Sequence, residues 1–253
     1  MSKYICAAAF VLAVLACGAA SAGPRDLDAL GREVAGLPLG ERIARIAESF
    51  VGTPYDPDPQ GSYVTRRAIV ADDRVDCMYL TFRAVELALG GSPAEAEALA
   101  LALRFRTHGR VEGGTVLNYE DRFEYGMDML ASGKWGEDVT RALLPGSTVE
   151  VAGSRGHATV AMLPRERVAE ALPAFLSGDI VYFVKRPARR VVGEIVGHMG
   201  IVRREGDEVY LIHASGGKGG GGEVVKLPLA EYARTMPFVG IVVGRLAEGQ
   251  GIR

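Results

Sequence analysis

The sequence predicts an α+β fold in which N-terminal helices pack on a C-terminal antiparallel sheet. Two observations in the pattern predict it. Apolar residues recur at helical spacing through much of the chain up to about residue 175. After that, short runs rich in Val, Ile and Tyr take over. Helices first and strands later, rather than strict alternation, is the α+β order. A third observation concerns size: 253 residues, 48% hydrophobic and 24% charged, suffice for one well-buried domain with large insertions.

The first 22 residues read as an export signal rather than as fold. Met1 to Tyr4 is a short n-region with one lysine, Ile5 to Ala16 is an apolar h-region too short to span a bilayer, and Ala20-Ser21-Ala22 is an A-x-A cleavage site. Val14-Leu15-Ala16-Cys17 offers the alternative of a lipid anchor on Cys17. No later stretch is apolar enough to cross a membrane. Residues 23–39 form a lead-in, and 40–253 a single domain.

Within that domain, Leu39–Val51 has Ile43, Ile46 and Phe50 at helical spacing, and Gly52-Thr53-Pro54 stops it. Residues 56–75 are polar and carry Pro57 and Pro59, which predicts a loop with one short strand near Ala68–Val70. Asp76–Leu89 is the strongest helix, with Asp76 as N-cap and Gly90-Gly91 as its stop. Ser92-Pro93 opens a second helix, to about Phe105. Asn118–Ala131, Val139–Leu144 and Arg165–Phe175 are also predicted as helices. Strands are expected at Ile180–Val184, His198–Arg203, Glu208–His213, Glu223–Leu227 and Val239–Leu246. The glycine-rich run 216–222 reads as a mobile loop between strands. A phosphate cradle is disfavoured, because no helix start or G-K-[ST] pattern follows.

Net charge is −2 and the isoelectric point about 6.1, so nothing marks a nucleic-acid-binding surface. Cys6 and Cys17 lie in the export signal, which leaves Cys77 as the one thiol of a processed chain. A lone thiol carried into an oxidising compartment points to reactivity or to intermolecular pairing, against the alternative of a small buried hydrophobe. The position of Cys77 favours reactivity. It occupies the first turn of its helix, where unpaired backbone N–H groups and the helix dipole are expected to lower a thiol pKa and to hold an oxyanion.

A cysteine nucleophile needs a base, and only four histidines are present. His108 and His157 lie in polar loop contexts. His198 starts one apolar strand and His213 ends the next, with a hairpin turn between them. A two-residue turn at Glu205-Gly206 would set the two imidazoles directly opposite, and one at Gly206-Asp207 would still leave both on one face. Either register supports His198 as proton acceptor and His213 as the group that orients it. A zinc site built from Cys77, His198, His213 and Asp76 is the competing reading. No C-x-x-C, H-E-x-x-H or His-x-His cluster supports it, so neither metal nor cofactor is predicted.

The segments Gly52-Thr53-Pro54-Tyr55, Val75-Asp76-Cys77, Gly178-Asp179-Ile180, Gly197-His198-Met199-Gly200-Ile201 and Ile212-His213-Ala214-Ser215 occur in an order that resembles the NlpC-like cell-wall peptidases. The resemblance is to the branch named N-acetylmuramoyl-L-alanine amidase-like, and it covers roughly residues 40–246. It implies a papain-like core with a helical insertion at about 92–162. It also implies Cys77 as nucleophile, His198 as base, His213 as third polar residue, and Tyr55 with its hydroxyl near the nucleophile at the oxyanion site. Asp179 matches a structural position. Met78 and Tyr79 depart from the family pattern, which more often has small hydroxyl residues there.

The expected activity is therefore hydrolysis of an amide bond in peptidoglycan or muropeptides, either the lactyl–L-Ala bond or one within the stem peptide. A papain-like thiol hydrolase or acyltransferase acting on lipid or other acyl groups is the alternative, and a broad apolar groove beside Cys77 would favour it. A non-catalytic wall-binding module is the third reading. It gives no reason for a lone thiol at a helix start.

Overall fold

The structure is a computed structural model and describes residues 25–216 and 221–249. The segment read as an export signal, with Cys6 and Cys17, and the middle of the glycine-rich run lie outside the described residues. The helices are α1 (Leu27–Val34), α2 (Leu39–Ser49), α3 (Ser62–Thr65), α4 (Cys77–Gly90), α5 (Pro93–Leu103), α6 (Gly126–Ala131), α7 (Thr140–Leu143), α8 (Val168–Ala171) and α9 (Leu229–Thr235). The strands are β1 (Val111–Glu112), β2 (Thr115–Val116), β3 (Glu137–Asp138), β4 (Val149–Ala152), β5 (Thr159–Pro164), β6 (Ile180–Val184), β7 (Val196–Glu205), β8 (Glu208–Gly216), β9 (Gly222–Pro228) and β10 (Gly240–Arg245).

Seven strands follow the order β4-β5-β10-β6-β7-β8-β9, every neighbour antiparallel, and β3 adds to β10. The fold is thus α+β with a large antiparallel sheet. Its middle strand β6 is buried at every residue, and alternation splits those residues between two cores. Ile180, Tyr182 and Val184 join the core under α2, α4 and α5. Val181 and Phe183 join the core under α8 and α9. The sequence predicts helices on the sheet without separating its faces. The structure covers both faces, because β6 has no polar face to leave in water.

α4 forms where it is predicted, for local reasons. The Asp76 side chain accepts the Tyr79 backbone N–H at 2.6 Å as N-cap, and Gly91 ends the helix in the left-handed conformation at φ 75°. The helix is buried on nearly all sides, Arg83 and Glu86 included. Those two charges are paired internally, and Arg83 Nη1, which makes no hydrogen bond among the described residues, lies 3.5 Å from Glu86. Arg83 grips Asp72 through two bonds of 2.8 and 2.9 Å, and Arg104 grips Glu86 at 2.6 and 2.7 Å.

Several expectations change. No strand forms at 68–70: the Ala68 carbonyl accepts the Tyr119 hydroxyl and the Ile69 carbonyl accepts Arg104, so the acceptors a ladder would need are taken by side chains. The helix predicted for Asn118–Ala131 is two pieces, a 3₁₀ turn at Tyr119–Asp121 and α6. Between them the Phe123 N–H bonds the Arg104 carbonyl, an extended tie that no continuous helix permits. Arg165–Phe175 breaks into α8 flanked by 3₁₀ turns, the second containing Pro173, which lacks the N–H that a helix interior requires. β4 and β5 lie in the stretch predicted as a helical insertion. The segment read as a lead-in carries α1, whose Val34 reaches the core.

Candidate active site

The site begins at the tip of α4. Cys77 is its first residue and is half-buried, next to the capping Asp76. The segment leading to it is held by the buried cluster behind: Asp72 takes both Arg83 and the Tyr79 hydroxyl, the latter at 2.8 Å. The cysteine is thereby fixed from its own helix and from the preceding loop.

The second part comes from the sheet. β7 and β8 pair with Ile201 opposite Ile212 and Glu205 opposite Glu208, so the turn is Gly206-Asp207, the second of the two registers considered. In that register His198 and His213 are diagonal neighbours on one face. His198 Nε2 lies 2.8 Å from His213 Nδ1, a hydrogen bond between the rings. His213 is buried, and its Nε2 has no hydrogen-bond partner among the described residues. Aromatic rings enclose the pair. Phe183 stacks on His198 at 5.6 Å, Phe238 lies parallel to it at 6.2 Å, and Tyr232 of α9 sits 4.9 Å from His213.

Cys77 and His198 open into one cleft of about 710 Å³. Tyr55, Asp76, Met78 and Met199 line it close to the sulfur; Arg122, Glu124, Lys185, Glu194 and Asp58 supply further charges. Lys185 and Glu194 are ion-paired, as are Arg122 and Glu124. The Tyr55 ring packs over Gly216, where a Cβ would come within 2.8 Å of the ring and push it aside. Three of the four residues singled out in the sequence, Cys77, His198 and Tyr55, thus share the cleft wall, and His213 backs it. His108 and His157 do not line it. Asp179 accepts two bonds from Arg245 and one from the Leu176 N–H, a structural role. Among the described residues no group of three or more His, Cys, Asp or Glu gathers to hold a metal.

The electrostatics depart from the expectation for a helix-tip cysteine. Burial, then the neighbouring Asp76 carboxylate, push the Cys77 thiol up to about 12. Backbone N–H groups of Met199, Cys77 and Met78 act the other way and are outweighed. Burial lowers His198 to about 3, with His213 adding to the shift, and lowers His213 to about 4. Asp76 rises to about 6 through burial, with Asp56 contributing. Tyr55 and Tyr232 each rise to about 12, from burial first and the Cys77 charge second. In the free cleft the thiol and both imidazoles are therefore neutral. The sequence-based expectation of a thiolate counted the helix end and not the desolvation.

Tyr232, Phe183 and Phe238 were not singled out in the sequence. Phe183 falls in the strand expected at Ile180–Val184, and Phe238 lies just before the one expected at Val239–Leu246. Tyr232 stands in L-A-E-Y-A-R-T, and only the register of α9 on the sheet shows that it meets the histidines.

No family model and no curated protein matches the sequence. Solved structures do match in fold. An N-acetylmuramoyl-L-alanine amidase from Bacteroides uniformis superposes with a TM-score of 0.64 at 21% identity, over 83% of this chain and 99% of that one. A Legionella pneumophila protein of the DUF1460 family gives a TM-score of 0.66 at 16% identity, over 86% and 92%. A putative xylanase from Bacteroides fragilis gives 0.60 at 23% identity, over 80% and 100%. The chain shares their α+β fold over nearly the whole length of each.

Proposed function

We propose that this chain is an exported cysteine hydrolase with a papain-like core, cleaving an amide bond in peptidoglycan or its fragments. The observation that carries the reading is the 2.8 Å His198–His213 bond beside a cleft that also holds the helix-tip thiol of Cys77. Because His198 uses Nε2 on His213, its Nδ1 is left for the nucleophile.

The chemistry follows from the neutral state of the groups. As Sγ attacks the amide carbonyl, its proton passes to His198 Nδ1 and the carbonyl electrons move onto oxygen. The imidazolium is stabilised by His213, whose Nδ1 accepts the Nε2–H, the work of a third triad member. N–H groups at the start of α4 stabilise the oxyanion. The Tyr55 hydroxyl, protonated at any physiological pH, is a further donor there. Collapse of the intermediate breaks the C–N bond, and His198 returns its proton to the leaving amine. Water then attacks the thioester carbonyl as His198 takes its proton; the C–S bond breaks, and that proton passes to Sγ, which frees the acid and restores the thiol.

The substrate class follows from the lining and from the fold. Six charged residues of both signs, Asp58, Asp76, Glu124, Glu194, Arg122 and Lys185, border the cleft. They suit a short zwitterionic peptide and disfavour an acyl chain, which needs an uninterrupted apolar groove. A fold shared with a protein named as an N-acetylmuramoyl-L-alanine amidase points the same way. Export would bring the protein to such substrates. Among the described residues no helix is long and apolar enough to cross a membrane.

Digestion of defined muropeptides by the processed protein and by Cys77→Ala, read by mass spectrometry, tests the reading. New masses are expected from the first, and a loss on the order of 10⁴-fold or more from the second. Equal cleavage by both would remove Cys77 from the mechanism.

A further inference from the structure

We infer that Tyr232 is a positioning residue for the histidine pair: its ring, rather than a hydrogen bond, fixes the orientation of His213 and so of His198. The inference rests on the proposed hydrolase reading for its catalytic consequence, but not for its structural content.

Three observations carry it. First, the two imidazoles share one hydrogen bond, which fixes the distance between them but leaves each ring free to tilt about it. Second, the far side of His213 has no hydrogen-bond anchor among the described residues. For His198 to present a basic Nδ1, its proton must sit on Nε2, and His213 must accept it at Nδ1. His213 then carries its own proton on Nε2, the atom that is buried without a partner among the described residues. Among the described residues, then, no hydrogen bond holds the far side of the His213 ring. Third, what touches His213 in its stead is Tyr232, with centroids 4.9 Å apart and planes at 52°. The same ring lies 6.4 Å from His198 and meets Phe183 edge-on at 5.1 Å. One side chain thus contacts both imidazoles and the ring stacked on the base.

The helix that delivers Tyr232 is well seated. Leu229 and Ala233, one turn apart on α9, are buried in the core beneath the sheet. α9 runs directly between β9 and β10, so both of its ends are tied to the sheet. The ring also excludes water. Burial is the first cause of the low basicity of both histidines, and Tyr232 forms part of what buries them. The other titratable groups that face the pair are Cys77 and Asp76 from the start of α4, Tyr55 from the loop before it, and the ion-paired Lys185 and Glu194 across the cleft. None of these makes a ring contact with His213.

Removing the ring is expected to wet the pair and to loosen it. The expected sign is upward: water restores the charged imidazolium, so His213 and His198 should move from their depressed values toward the ordinary histidine value near 6.5. Tyr232→Phe keeps the ring and loses only the hydroxyl.

The test reads the imidazole nitrogens directly, by long-range ¹H–¹⁵N correlation on the processed protein, for wild type, Tyr232→Phe and Tyr232→Leu. Wild type and Tyr232→Phe should show His213 as the Nε2–H tautomer with neither ring titrating above pH 5. Tyr232→Leu, which keeps apolar bulk for folding, should show mixed tautomers and titration at a clearly higher pH. With substrate in hand, the acid limb of kcat/KM should move up with that titration. The kcat/KM at neutral pH should fall on the order of 10- to 100-fold, and phenylalanine should restore most of it. An unchanged tautomer and titration in Tyr232→Leu would overturn the inference. So would a Tyr232→Phe variant that behaves like Tyr232→Leu, because the hydroxyl would then be the active element. If no variant, wild type included, cleaves any muropeptide while the nitrogen shifts respond as stated, the hydrolase reading fails and the positioning role stands.

Discussion

The two ends of the cleft are held by opposite kinds of force. The Cys77 end rests on charge: Asp72, Arg83, Glu86 and Arg104 form a nearly dry cluster behind α4, and the Asp76 carboxylate caps the helix beside Cys77. The histidine end rests on rings: Phe183, Tyr232 and Phe238 enclose a pair of neutral imidazoles. At Asp76 and at the histidines the outcome is nevertheless the same, suppression of charge. Asp76 is an acid made weaker, and the histidines are bases made weaker. Their linkage to stability therefore has opposite sign, and the difference between the ends can be read by pH as well as by mutation.

The largest effect should come from the histidine end. His213→Leu keeps the packing volume close and removes the acceptor for the imidazolium, so activity should fall about 100-fold or more. Its pH behaviour is equally informative. In the unfolded chain His213 takes up a proton near pH 6.5, whereas in the fold it resists protonation down to about 4. Wild-type stability therefore drops as pH falls through this window, by about 2–3 kcal/mol for this group alone. The variant should show a shallower decline in urea melts between pH 7 and pH 4. An identical slope would mean that His213 is already hydrated in the fold, and the contrast between the two ends would collapse.

The charged end should break differently. Arg104→Met leaves Glu86 buried with only the 3.5 Å contact to Arg83, and should cost about 3–5 kcal/mol of unfolding free energy. Replacing both partners, Glu86→Met with Arg104→Met, should cost less than the single change, because no uncompensated charge remains. Denaturant midpoints for the three proteins check this. A single variant within about 1 kcal/mol of wild type would show that the cluster is wetter than its geometry indicates. In neither case should the titration of His198 and His213 move, since the cluster lies behind α4 and away from their rings.

The same division explains what was legible in the sequence. The Cys77 end is built from neighbours in the chain. Asp76, Cys77 and the Gly90-Gly91 stop are a local code for a capped helix, and α4 forms where that code puts it. The histidine pair was legible because a two-residue turn and a strand period of two leave few registers, all with both rings on one face. What was not legible depends on contacts distant in sequence. The Ala68 and Ile69 carbonyls are claimed by Tyr119 and Arg104, 51 and 35 residues away, so the strand expected there is absent. β4 has mostly exposed residues and no buried alternation to reveal it. The upward shift of the thiol depends on desolvation, which a helix-start pattern does not encode. Tyr232 acquires its place only when α9 docks under the sheet.

The smallest expected effect is the sharpest test of how the Cys77 end is poised. Asp76→Asn retains a side-chain oxygen for the Tyr79 N–H, and asparagine caps helices about as well as aspartate, so the start of α4 should persist. What it removes is the negative charge beside the sulfur. The thiol should then ionise more readily, and alkylation of Cys77 at pH 7 should accelerate, by several-fold up to about tenfold. Stability should change in a pH-dependent way. Because burial raises the Asp76 carboxyl from its ordinary value near 3.8 to about 6, the wild-type fold resists an ionisation that the unfolded chain undergoes freely. Wild type therefore loses stability as pH climbs from 4 to 6, the reverse of the trend at the histidines, and the variant does not. The gap between the two proteins should open in favour of Asp76→Asn across that interval and reach about 2–3 kcal/mol at pH 7. Slower alkylation in the variant, or a gap that is constant with pH, would mean that the carboxylate is solvated and does not govern the sulfur; the neutral thiol would then have to be attributed to burial alone.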